Sequence, residues 1–124
     1  MRSLFRCSPL FAVLLVAGAA FADDPKTALG HWMTKNMGDP MSGDSPDFAK
    51  LAQSFATVAK SAPDAKTYPN WVSFANQGAA AAAKGDKAGV KAACNGCHKA
   101  PSTNGAKNLK EQYKADPNAA KSYP

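Results

Sequence analysis

Cysteine, histidine and arginine are all scarce in this chain, and each shortage excludes something. Three cysteines in 124 residues cannot build the disulfide framework of a small exported domain. Two histidines, His31 and His98, and no second cysteine pair fall short of the paired ligands of a usual zinc site. Arginine is confined to Arg2 and Arg6. No segment alternates polar and apolar residues as a half-buried strand does. The one long apolar run, Leu10 to Ala20, is shorter than the ~20 residues a spanning helix needs. The length leaves room for one domain, and none for a TIM barrel or a separate cofactor lobe. What is present is ample apolar content, 45%, which supports a core and argues against wholesale disorder.

The arginines flank the start of that apolar run, and Ala20-Phe21-Ala22 follows it with a small-x-small cleavage pattern. Residues 1–22 therefore read as a secretory signal peptide, removed in the mature protein. Cys7 precedes the apolar run, so it is not placed as a lipoprotein cysteine and leaves with the signal. Both arginines leave as well, and the formal charge falls from +6 to +4. The mature chain is expected to be exported, soluble and mildly basic. It keeps two cysteines, Cys94 and Cys97. A free dithiol outside the cytoplasm would be exposed to oxidation, so that pair needs an explanation.

Breakers divide residues 23–100 into four helical segments. The first runs from about Lys26 to Met37, with Leu29, Trp32, Met33 and Met37 at helical spacing, and Gly38-Asp39-Pro40 is expected to end it. The second opens at Ser45-Pro46-Asp47, with Ser45 as cap and Pro46 at the first helical position. Its apolar stripe includes Phe48, Leu51, Phe55 and Val58. The third starts near Pro69 and ends at Gly85. Its Gly78 to Ala83 run lets a helix or a flat ligand approach closely. The fourth is capped by Asp86 and runs to Pro101. Residues 101–124 form a polar tail, in which a weak, solvated and loosely docked helix is expected from Ala106 to Lys114. The fold class is all-α, an antiparallel four-helix bundle. Its core is thin in large side chains, so something extra should fill it.

Cys94-Asn95-Gly96-Cys97-His98 names that filler. CxxCH is the attachment signature of c-type haem. Two thiols three residues apart lie on one side of a helical turn and can add to the two porphyrin vinyl groups. The next residue, His98, then supplies an axial nitrogen to the iron. A thioredoxin-like CxxC belongs after a strand, at a helix start, and here the motif lies inside a helix. A disulfide across so short a loop would stabilise little. The residues leave the other axial position open to Met33, Met37, Met41, His31, a lysine or no protein ligand. Met33 and Met37 also suit plain core packing. Trp32 and Trp71 read as pocket or core aromatics.

With CxxCH on the fourth of four helices and methionine in the first, the chain resembles the class II cytochromes c, the bacterial periplasmic cytochrome c′ and c556 group. The phrases HWMTKNM (His31 to Met37), YPNWVSFANQGAAAAAKGD (Tyr68 to Asp86) and GVKAACNGCH (Gly89 to His98) carry the resemblance. It implies one covalent haem c held by Cys94 and Cys97, with His98 as proximal iron ligand. It implies Met33, after the large aromatic of the first helix, as the distal ligand, with Met37 as the alternative. Family members usually continue the last helix with an aromatic-arginine pair. Here Pro101 intervenes and the mature chain has no arginine, so Lys99 or Lys107 stand as substitutes near the haem propionates.

The expected function is one-electron transfer in the periplasm, the iron cycling between Fe(III) and Fe(II) under His/Met ligation. The polypeptide makes no bonds itself, so no enzyme activity is expected. Its lysines could steer an acidic redox partner. No nucleic acid, and no membrane after signal cleavage, is expected as a partner, while the resemblance allows a homodimer. The rival reading is a five-coordinate, cytochrome c′-like protein that binds NO or CO. A peroxidase-like enzyme would need a distal base, for which only His31 is available.

Overall fold

The computed structural model describes residues 27–116 and 123. The signal peptide read from residues 1–22 lies outside the described residues, as does most of the chain after Asp116. Among the described residues every regular element is a helix, and no strand occurs. None of these helices is long and apolar enough to cross a membrane.

The first helical rod begins at Thr27, whose hydroxyl accepts the Gly30 N–H at 3.0 Å. α1 (Ala28–Met33) passes into a π-helical turn (Thr34–Gly38) and then α2 (Asp39–Met41). Gly38-Asp39-Pro40 therefore does not stop the helix, contrary to the sequence expectation. Proline lacks an N–H and collides with the carbonyl four residues back, here that of Asn36. The wider π turn absorbs this conflict, with the Asp39 N–H donating to the Thr34 carbonyl, five residues back. The rod ends only at Ser42, whose backbone is extended.

α3 (Phe48–Lys60) is capped by Asp47, which accepts the Lys50 N–H at 2.9 Å. The cap is thus Asp47 rather than Ser45: the helix starts at Phe48, and the Asp47 carboxylate meets the free N–H three residues on. α4 (Trp71–Ala83) follows Asn70, a residue in the left-handed region at φ 67°. That turn, tolerated by asparagine, moves the helix start two residues past Pro69. α4 ends where Gly85 takes φ +68° and its N–H donates to the Ala82 carbonyl. α5 (Lys87–Lys99) is capped by Asp86, as its sequence suggests, through the Gly89 N–H at 2.9 Å.

α3 packs on α4, α4 on α5, and α3 also supports the π turn. The core between them holds Leu51, Phe55 and Val58 from α3, Trp71 and Ala75 from α4, and Val90 and Ala93 from α5. Burying each larger aliphatic contributes about 1.5–3 kcal/mol. The small residues of α4 serve close packing: a Cβ on Gly78 would overlap the Phe55 ring.

α6 (Leu109–Ala115) departs most from the sequence reading. Leu109, Gln112 and Tyr113 are buried, so this helix is part of the core rather than a loosely docked tail. The buried Gln112 side chain donates to the Thr67 carbonyl and the Thr103 hydroxyl and accepts the Thr103 N–H. Tyr113 joins Tyr68 and Trp71 in an aromatic cluster with centroids 5.7–6.0 Å apart.

Candidate functional site

α5 runs without a break through the CNGCH motif, and this decides where its side chains go. At roughly 100° per residue, Cys94, Cys97 and His98 span only about 100° of the helix circumference. All three line one cleft of about 360 Å³. Gly96 points elsewhere, and a Cβ there would overlap the Phe74 ring. That glycine lets α4 lay a phenyl ring against the motif, and Phe74 itself reaches the cleft wall.

The two cysteines are half-buried and unbridged. Burial pushes the Cys97 thiol up to about 11, with Cys94 nearby adding to the effect. Burial raises Cys94 as well. A redox-active CxxC needs the opposite, a thiol lowered by a helix N-terminus or a cation. These are neutral thiols in an apolar wall. His98 stands exposed at the cleft rim.

The facing wall comes from the first rod. Met33, Met37 and Met41 all line the cleft, Met37 fully buried and the other two partly so. In an uninterrupted α-helix, Met33 and Met41 would diverge by roughly 80°. The π turn has more residues per turn and so rotates less per residue, which returns Met41 to the side of Met33. The π turn frees the Lys35 carbonyl from the α pattern and Pro40, lacking an N–H, frees that of Asn36, and α3 supplies partners to both. The buried Ser54 hydroxyl donates to the Asn36 carbonyl at 2.8 Å, and the Lys50 ammonium reaches the Lys35 carbonyl at 3.4 Å. The π turn was not legible in the sequence, although Pro40 inside a methionine-spaced helix was a usable signal.

His31 is exposed and takes no part in the cleft. Trp32 is also off this wall and packs edge-on against Tyr123, centroids 5.0 Å apart. Trp71 does line the cleft, and its indole N–H donates to the Val58 carbonyl at 3.0 Å. Phe55, Val58 and Ala75 complete the apolar floor. α6 closes one side with Leu109, Lys110, Tyr113 and Lys114. Sequence reading missed this side entirely. Lys99 and Lys107, the expected propionate partners, do not line the cleft.

This donor set fits a haem c. Two neutral thiols sit three residues apart, an imidazole follows directly, and methionine thioethers stand across an apolar slot whose volume falls within the range of small-molecule sites. Among the described residues, no three His, Cys, Asp or Glu side chains gather as they would for a bare metal ion. No model of a known protein family, no curated protein and no solved structure matches the chain.

Proposed function

We propose that this protein is a periplasmic c-type cytochrome that carries single electrons, with its helices arranged as a class II four-helix bundle. One observation carries the reading. Side chains some sixty residues apart in sequence, Met33 and Met37 on one element and Cys94, Cys97 and His98 on another, line the same apolar cleft. Core packing alone gives no reason for a CxxCH imidazole and a methionine row to share one cavity.

Haem c, when bound, supplies a one-electron Fe(III)/Fe(II) couple. Cys94 and Cys97 would hold it by thioether bonds, and His98 would lend the iron an imidazole nitrogen. Met33 would donate its thioether sulfur from the facing wall, with Met37 as the alternative. Phe55, Val58 and Trp71 keep water from that interior. A dry, low-dielectric wall disfavours extra charge and so tunes the potential. Two protein ligands held on separate packed elements limit rearrangement between oxidation states. Lysines outside the cleft would guide an acidic redox partner.

Absorption spectra of the purified holoprotein in both oxidation states test the reading. The expected result is covalently retained haem and a ferric charge-transfer band in the red from methionine–iron bonding, lost in Met33→Ala. Loss in Met37→Ala instead would move the ligand but keep the function. A high-spin ferric spectrum, with CO or NO taken up and no ligand displaced, would replace electron transfer by gas binding. Failure to recover covalent haem from an export-competent host would overturn both.

A further inference from the structure

An apolar cleft suits the face of a porphyrin but not its two carboxylates, which need cations where they emerge. Among the described residues, Lys110 and Lys114 are the only cations besides the His98 imidazole that line the cleft, and no Asp or Glu lines it. Both lysines belong to α6. They are four residues apart, so they stack on one face of that helix. Leu109 and Tyr113, also four apart, form the neighbouring ridge and are buried. α6 thus presents an apolar ridge inward and a cationic ridge at the rim of the same cleft. Gln112, buried through its bonds to Thr67 and Thr103, holds the helix in that orientation before any ligand arrives. At the outer edge the Lys114 ammonium also lies 3.5 Å from the Glu111 carboxylate of the same helix.

We infer that Lys110 and Lys114 form the carboxylate-binding end of the cleft, a dicarboxylate clamp for the propionates of the porphyrin. The inference rests on the haem reading and deepens it, replacing Lys99 and Lys107, which the family resemblance suggested. It also gives α6 a role in binding as well as in the core.

Iron-free protoporphyrin IX and its dimethyl ester separate the two levels of inference. Each is titrated into the haem-free full-length chain and followed by quenching of tryptophan fluorescence. The diacid is expected to bind about three- to tenfold more tightly than the ester, the range for charge-assisted pairs at partly exposed sites. The double variant Lys110→Gln/Lys114→Gln should erase that preference and leave ester affinity unchanged. Each single variant should lose part of it, and Lys110→Arg/Lys114→Arg should retain it. Lys99→Gln/Lys107→Gln should also retain it. A preference that survives Lys110→Gln/Lys114→Gln, or that is lost in Lys99→Gln/Lys107→Gln, overturns the clamp while the haem reading stands. Failure of both porphyrins to bind the unmodified chain overturns the haem reading and the clamp together.

Discussion

At the residue scale, a missing methyl group seats the Phe74 ring. Its edge occupies the space a side chain at Gly96 would need. Gly96→Ala should therefore cost about 1–3 kcal/mol, as overpacking does, read as a lower midpoint in thermal unfolding. An unchanged midpoint would mean that the ring has room to yield. The second x of the CxxCH motif is thus constrained by packing, which the motif pattern alone does not reveal. The thiols give a chemical test at the same scale. In the haem-free chain, Cys94 and Cys97 should react with iodoacetamide more slowly than a free cysteine at neutral pH. The Cys97 rate should keep rising toward pH 11, where its thiol titrates. Fast alkylation at neutral pH would place the pair among activated dithiols instead. Ser54 carries a third test. Ser54→Ala leaves the Asn36 carbonyl, freed by Pro40, without its hydroxyl donor, and should cost about 1–3 kcal/mol in chemical denaturation.

At the element scale, helices were legible wherever local chemistry governs them. Asp86 before a free N–H, Gly85 after the last turn of α4, and the Leu51, Phe55 and Val58 stripe on α3 all act within one or two turns. The larger errors fall where partners are distant. Gly38-Asp39-Pro40 is a stop signal locally, yet α3 supplies Ser54 and Lys50 to the carbonyls that Pro40 and the π turn release, and the helix continues. α6 is polar by composition, yet four of its seven residues, Leu109, Lys110, Tyr113 and Lys114, line the cleft. Leu109→Ala separates these views of α6. A core residue should lose about 2–5 kcal/mol, measured by urea unfolding, whereas a solvated tail would lose almost nothing.

At the scale of the whole molecule, Asp116, the residue that ends α6, is tied back across the fold. The Tyr68 hydroxyl donates to the Asp116 carboxylate at 2.8 Å. Burial raises the Tyr68 pKa above its ordinary 10.0, and the bond to Asp116 raises it further. A raised folded pKa adds stability that is complete below pH 10 and drains as the pH climbs beyond it. The urea midpoint should therefore fall on the alkaline side. In Tyr68→Phe the midpoint should start lower and fall less steeply, because the phenol no longer has to ionise. Equal slopes in the two proteins would remove Tyr68 from the alkaline transition.

The sequence by itself determined the helical class, most helix starts and stops, and the thiol–thiol–imidazole order of Cys94, Cys97 and His98. These are short-range matters of periodicity, capping and covalent spacing. Only the tertiary structure decided what faces them. A methionine four residues from another is equally a core residue or a cleft residue until the opposite wall is known. A lysine pair on a polar helix is equally solvent-facing until that helix docks. Three scarce side chains marked the chemistry, and the packing of distant elements gave them a common cavity.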